Sequence, residues 1–280
     1  MPIDVMMPFY GDVAQFRQAV TSVLAQDNPD LVLTVVDDCY PDDAPREWLL
    51  GLDDPRVRYL RNETNLGVNG NFRRCVDLVE HEYFVVMGCD DVMLPGYLGS
   101  VRALAAGNPD AAVIAPGVEV IDDHDRPVRP LGDRIKGMLA PSHTTVLRGE
   151  SLATSLYHGN WTYFPSLLWR TDAVRVVGFR PGLEVVLDLA LLVDLAATGA
   201  SLAYDPTVVF RYRRHEASVS SVQAVDGRRF AEENRFFADE ARRCVELGWN
   251  RAARAARLHA TSRLHHTQAR VGATVARLRR

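Results

Sequence analysis

LVLTVVDDCYPDD, residues 31–43, is the stretch on which the fold turns. Leu31 to Val36 form a run of apolar and β-branched residues without polar alternation. That is the pattern of a strand buried on both faces. The run ends at once in Asp37 and Asp38. The same event occurs on either side of it. IDVMMP (3–8) is a buried run that leads into PFYGD, and YFVVMG (83–88) leads into Cys89, Asp90 and Asp91.

Between these runs the period changes. Val13, Phe16, Val20, Val23 and Leu24 recur at helical spacing over 13–25, as do Phe72, Val76 and Val79 over 71–80. VRYLRN (57–62) reads as a short strand and AAVIAPGVEVI (111–121) as a fifth. Pro95 opens a helix to about Ala106, since proline suits a first turn. Strand and helix in alternation predict an α/β fold, with a mostly parallel central sheet flanked by helices. Residues 122–148, rich in Pro, Gly and Asp, read as an irregular mobile loop. Residues 149–200 mix helices with a strand near 163–170, and VVFRYR (208–213) reads as a last strand. From 226 to 280 the pattern is helical and basic.

Bulk properties narrow the function. The chain has 280 residues, 47% hydrophobic and 24% charged, with a net charge of -4. Such a balance is that of a globular protein and not of a nucleic-acid binder. Cys39, Cys75, Cys89 and Cys244 lack the close spacing of a zinc knuckle or redox dithiol, so a reduced cytoplasmic setting is expected. MPIDVMMPFYGD has no basic n-region and does not read as a signal peptide. The longest apolar stretch, 183–197, is broken by Glu184, Asp188 and Asp194, so no bilayer span is expected.

In parallel sheets, ligands bind beyond the carboxyl ends of the strands. Three polar clusters stand there: PFYGD, DDCYPDD and CDD. Asp38 is placed to accept a hydrogen bond from a base or ribose, and Asp90 and Asp91 to hold a divalent cation through hard oxygen ligands. Asp-Asp occurs five times, so the dipeptide alone says little. The pairs at 42–43 and 53–54 read as turn or cap residues. A dinucleotide-binding oxidoreductase requires a G-x-G-x-x-G turn after the first strand, and PFYGDV has a single glycine. No G-x-x-x-x-G-K-[ST] loop occurs anywhere.

The clusters, in this order, resemble glycosyltransferase family 2. PFYGDVAQFRQAVTSVLAQ resembles its opening P-x-Y and the helix that ends S-V-L-x-Q. TVVDDCYPDD is similar to its V-V-D-D-x-S-x-D segment, and YLRNETNLGVNGNFRRC to its R-N-x-x-N-x-G-V segment. EYFVVMGCDDVMLPGYL and FRYRRHEASVSS resemble its metal motif and its Y-R-x-H-x-x-S-x-S segment.

The resemblance implies a GT-A fold over residues 1–222, with 1–121 as nucleotide-binding half and 122–222 as acceptor-binding half. It implies an inverting transfer from a UDP- or dTDP-sugar, with Mn²⁺ or Mg²⁺, to a saccharide or lipid-linked acceptor in envelope, polysaccharide or glycolipid synthesis. By the same resemblance Pro8, Phe9, Tyr10 and Asp38 line the nucleoside pocket. Asn65, Gly67 and Asn71 lie near the base, ribose or diphosphate, with Arg73 and Arg74 as candidates to neutralise the diphosphate. Asp90, beside Cys89, faces the ribose or donor sugar. Asp91 holds the metal, and His215 contacts the diphosphate or completes the metal shell. Where relatives carry Glu-Asp before a glycine, counting back from Gly199 gives Leu187 and Asp188, so Asp188 is the expected base. Glu184 and Asp194 are the alternatives.

Two features stand apart. Trp161, in GNWTYFPSLLWR, is a candidate to stack on an acceptor sugar, although a core strand explains it equally well, and Glu184 is a second candidate for acceptor binding. Residues 223–280 form a basic helical extension: arginines 251, 254, 257, 263, 270, 277, 279 and 280 accompany Leu264, Val271, Val275 and Leu278 at helical spacing. That pattern suits an anionic membrane at the inner face of the plasma membrane, or a second subunit. A sugar nucleotidyltransferase, which usually carries a glycine-rich loop after its first strand, and a non-catalytic nucleotide-sugar-binding relative are the competing functions.

Overall fold

The structure, a computed structural model, describes residues 1–27, 30–214 and 228–259. Strands and helices alternate through β1 (Ile3–Phe9), α1 (Val13–Leu24), β2 (Leu31–Asp37), α2 (Ala44–Leu50), β3 (Val57–Arg61), α3 (Gly67–Asp77), β4 (Tyr83–Val86), β5 (Val92–Met93), α4 (Tyr97–Gly107) and β6 (Ala111–Ile121). The second half has α5 (Leu131–Leu139), β7 (Thr145–Arg148), α6 (Gly149–His158), a 3-10 turn (Phe164–Ser166) and β8 (Leu168–Arg170). It continues through α7 (Thr171–Val177), α8 (Leu187–Ala197) and β9 (Ser201–Arg213) to α9 (Arg228–Glu246) and α10 (Asn250–Leu258).

The strands form one sheet in the order β3-β2-β1-β4-β8-β6-β9-β5, with β7 also on β9. β3, β2, β1 and β4 are parallel neighbours. Beyond β4 the sheet is mixed. The short β8 runs antiparallel to both β4 and β6, and β5 and β7 run antiparallel to β9. Within the parallel half, β1, β2 and β4 are buried almost throughout, and β3 at the edge is partly exposed.

Alternate residues of these strands feed two cores, as a period of two requires. Met6, Phe84 and Val86 pack with α6, α8, α9 and α10 on one face. Ile3, Val5, Met7, Val85 and Met87 pack with α1 and α4 on the other. Asp12 caps α1 by accepting the Gln15 N–H at 2.9 Å, which fixes the turn after β1. The pairs at 42–43 and 53–54 serve turns: Asp42 accepts the Ala44 N–H and Asp54 the Arg56 N–H.

Residues 122–148 depart from the irregular loop read in the sequence, because α5 and β7 lie within them. α5 is tied down by partners far along the chain. Lys136 Nζ donates to Thr162 O at 2.8 Å, and Asp133 Oδ1 accepts Tyr163 Oη (3.0 Å) and Arg214 Nη2 (2.8 Å).

The C-terminal helices share the main core. Phe236, Phe237, Ala241 and Cys244 of α9 and Ala252, Ala253, Ala255 and Ala256 of α10 are buried in it. Arg251, Arg254 and Arg257 point outward. Leu264, Val271, Val275 and Leu278 lie outside the described residues. Among the described residues no helix is long and apolar enough to cross a membrane.

Candidate active site

β1 lies between β2 and β4. Neighbouring strands are about 4.8 Å apart, so the ends of β2 and β4 stand roughly 10 Å from each other across β1. The chain stays in register past the strands. Asp38 N–H donates to Phe9 O, and Met87 N–H to Met6 O, each at 2.9 Å. Tyr10, Asp38 and the Cys89-Asp90-Asp91 turn therefore emerge on one edge. A Cβ at Gly11 would come within 3.3 Å of Cys89 Sγ, which measures how closely the two turns approach. Burial pushes the Cys89 thiol up to about 12, so it stays protonated at neutral pH.

Asp38 is buried and committed. Its Oδ1 accepts Asn62 Nδ2 at 2.8 Å and Leu66 N–H at 2.7 Å. Asn62 also donates to Asn71 Oδ1 (3.0 Å), and Asn71 Nδ2 donates to Val36 O (2.8 Å). Two sequence readings are corrected here. Asn71 is 3% exposed and spends its amide on Asn62 and Val36, so it supports Asp38 and lies behind the pocket wall. Phe9, 1% exposed, stacks on Phe16 and Tyr40 at 4.2 and 4.9 Å, so its ring belongs to the core. Pro8 is buried as well. Tyr10, by contrast, is 54% exposed and meets Tyr40 edge-on. Asn65 is exposed and accepts the Gly67 N–H at 2.9 Å. Gly67 has φ 72, a conformation that glycine adopts without penalty. Arg73 is half-buried just past the middle of α3 and Arg74 is exposed in its last turn.

Asp90 and Asp91 converge on Gly88. A Cβ there would lie 2.7 Å from Asp90 Oδ1 and 2.6 Å from Asp91 Oδ2, so the two carboxylates occupy the space of the missing side chain. Asp91 Oδ1 accepts the Arg213 N–H at 2.9 Å. Asp91 Oδ2 is buried with no hydrogen-bond partner. Burial, and then the neighbouring Asp90 charge, raise Asp91 well above the usual carboxylate range. An unpaired buried oxygen is costly unless a donor or cation meets it. Two hard oxygens with one orphaned fit a divalent cation. His215 lies outside the described residues.

Arg213, which sequence reasoning passed over, organises this turn. It is 2% exposed. Its guanidinium donates to Asp90 O, Asp122 O, Gln18 Oε1 and Asp125 Oδ1 at 2.6–2.8 Å. One side chain thus joins α1, the acidic turn, and the β6–α5 connection. The only signal in the sequence was its place within FRYRR.

From this turn a line of groups leads to α8. The buried Tyr212 hydroxyl is raised to about 12 by desolvation, then by the Asp91 charge. Its ring lies 5.2 Å from that of Tyr163, whose face carries the Lys136 ammonium at 4.3 Å. Beyond stands Asp188, half-buried in the first turn of α8. Burial raises Asp188; the Lys136 charge, the Leu189 N–H and Asn160 act against it.

The alternatives to Asp188 are occupied differently. Asp194 is salt-bridged to Arg180 at 2.5 Å and to Arg243, a structural use. Glu184 is exposed and accepts the Asn69 amide, joining α3 to the segment before α8. Glu232 of α9 grips that segment too, accepting the N–H groups of Glu184, Val185 and Val186 at 2.7–3.1 Å. Trp161 is corrected to the core: it is 3% exposed, donates to Ser155 Oγ at 3.0 Å and meets Tyr204 edge-on, with no face for a sugar.

Comparison with known proteins follows this geometry. Residues 4–170 match the model of the family described as "Glycosyl transferase family 2". The succinoglycan biosynthesis protein ExoO of Rhizobium meliloti is 26% identical over 220 residues, which are 78% of this chain and 62% of that protein. The GalNAc(5)-diNAcBac-PP-undecaprenol beta-1,3-glucosyltransferase of Campylobacter jejuni is 30% identical over 37% of this chain and 34% of its own. Among solved structures, S. aureus TarS 1-349 in complex with UDP-GlcNAc superposes with TM-score 0.66 at 16% identity, covering 85% of this chain and 66% of that one. The fold is therefore shared with a GT-A structure, and this chain spans less than two thirds of these longer relatives.

Proposed function

The chain belongs to glycosyltransferase family 2, and we propose that it transfers a sugar from a UDP- or dTDP-sugar to an acceptor hydroxyl with inversion at C1. The observation that carries the reading is the shared edge: Asp38 after β2 and the Asp90–Asp91 pair after β4 flank the end of β1. The TarS complex with UDP-GlcNAc supports a UDP-sugar as donor. We take 1–121 as the donor half, 122–222 as the acceptor half and 223–280 as the appended helices.

In this reading Tyr10 and the loop held by Asp38 receive the nucleoside. Asp91, with Asp90, would hold Mn²⁺ or Mg²⁺. Such an ion, when bound, offsets the negative charge that grows on the departing diphosphate. Asp188 takes the proton from the acceptor hydroxyl, and the freed oxygen forms its bond to C1. The C1–O bond to the diphosphate breaks with its electron pair, and the nucleoside diphosphate leaves. A positioned carboxylate of this kind is worth about 10²–10⁴-fold. Attack opposite the leaving group requires both reactants held in line and inverts C1.

The names of the relatives, succinoglycan biosynthesis and an undecaprenol-linked glucosyltransferase, support a saccharide or lipid-linked acceptor. The arginines of 251–280 would meet an anionic membrane or a second copy of the chain. Flotation with anionic vesicles, with and without residues 260–280, separates the two. The test of the main reading is a thermal-shift series of the full chain with UDP- and dTDP-sugars, with and without Mn²⁺. A rise in Tm that needs both sugar nucleotide and metal is expected; no response to any of them overturns it.

A further inference from the structure

Asp188 is held from two sides by donors. Its Oδ1 accepts the Leu189 N–H at 2.7 Å and its Oδ2 accepts Asn160 Nδ2 at 2.9 Å. Asn160 is itself fixed. Its Oδ1 accepts both the N–H and the hydroxyl of Thr162, at 3.2 and 2.7 Å. An amide whose oxygen is engaged by two donors can present only its NH₂ to Asp188. The carbonyl of the same Thr162 accepts Lys136 Nζ at 2.8 Å. Lys136 is the only lysine in the sequence. It reaches this point on α5, the helix that Asp133 fastens to Tyr163 and Arg214.

We infer that Lys136 and Asn160 are positioning residues for Asp188: linked through Thr162, they hold its carboxylate ionised and in one orientation, which makes α5 part of the acceptor-activating machinery. The geometry stands by itself; its consequence for turnover rests on the proposed role of Asp188 as base. Hydrogen bonds from donors favour the charged form of a carboxylate, as does a nearby ammonium. Several charges on the surrounding elements are engaged elsewhere. Asp194 of α8 pairs with Arg180 and Arg243, and Glu232 of α9 binds the N–H groups of 184–186. On α7, Asp172 pairs with Arg170, and Arg175 donates to Val79 O. His158 closes α6, and Glu150 at its other end accepts the Arg251 N–H. The Lys136 charge counters the effect of burial on Asp188.

The test is a ¹³C NMR titration of the full chain labelled at its aspartate carboxyls, with the Asp188 resonance identified by its loss in Asp188→Asn. Lys136→Gln removes the charge and leaves a donor for Thr162 O; Asn160→Ala removes the hydrogen bond. Both variants are expected to move the Asp188 midpoint to higher pH, and Lys136→Arg to bring it back. Asn160→Ala is also expected to slow donor turnover about tenfold, the scale of one lost hydrogen bond to a charged group. An Asp188 midpoint unchanged in both variants, each melting like wild type, overturns the inference. If the midpoint moves while Asp188→Asn keeps full turnover, the positioning stands and the base assignment alone falls.

Discussion

Asp38 and Leu66, 28 residues apart, are joined by an N–H···O bond of 2.7 Å that closes the loop after β3 onto the end of β2. The same carboxylate oxygen takes Asn62 Nδ2. Asp38→Ala removes the acceptor of the Leu66 N–H and one of the two acceptors of Asn62 Nδ2, whose other bond to Asn71 remains; a buried N–H left unpaired costs about 1–3 kcal/mol. A lower Tm and weaker nucleotide-sugar binding are expected, with part of the Tm recovered by Asp38→Asn, which keeps an acceptor. Scanning fluorimetry of the three proteins decides; an alanine variant as stable as wild type contradicts the role.

Gly88 is required by space. Any Cβ there would meet Asp90 and Asp91 oxygens at 2.7 and 2.6 Å. Gly88→Ala is therefore expected to displace one carboxylate. The protein folds, with a small change in Tm, and loses metal-dependent nucleotide affinity by about tenfold or more, the effect of a single misplaced ligand group. Titration calorimetry with UDP and Mn²⁺ measures it, and wild-type affinity would show that the pair does not act there.

Asp188 sets a pH dependence whose sign follows from its surroundings. Burial raises it above the ordinary carboxylate value. A base works only when deprotonated, so turnover is present above its folded pKa and lost as pH falls through it. The acid limb is expected above pH 3.8, the usual aspartate value. Asp188→Asn is expected to retain donor binding while turnover drops by about 10²–10⁴-fold at every pH. A variant that turns over like wild type excludes Asp188 as base.

Asp194 separates structure from chemistry on the same helix. It is ion-paired with Arg180 and Arg243, and Arg180 also holds the buried Glu240. Both arginines keep some contact with solvent, so the loss of Asp194 is expected to cost less than the roughly 3–5 kcal/mol of a fully buried network. Asp194→Asn is expected to lower Tm and to leave the turnover of folded molecules near wild type. The opposite outcome, normal stability with lost turnover, would move the base to Asp194.

The parallel half of the sheet was legible because its inner strands β1, β2 and β4 are buried, largely apolar runs ended by polar residues. Asp38, Asp90 and Asp91 could be found since topology alone brings the ends of β2, β1 and β4 together. The second half was harder to read. β8 is three residues long, too short for a period, and α5 is held by Asp133 and Lys136 through partners 26 to 81 residues away. The resemblance placed Phe9 and Asn71 at the ligand, and residue type left Trp161 open between a sugar and the core; their partners Phe16, Val36 and Ser155 hold all three inside. Arg213 was invisible for the same reason, its four acceptors coming from three separate segments.

The proposed donor site depends on a cation-bridged diphosphate on the edge between Asp38 and Asp91. Calorimetric titration of UDP into wild type and Asp91→Ala, each with and without Mn²⁺, tests that directly. Tight binding is expected only for wild type with Mn²⁺. Equal affinity in all four titrations, or none with UDP and dTDP alike, would contradict it.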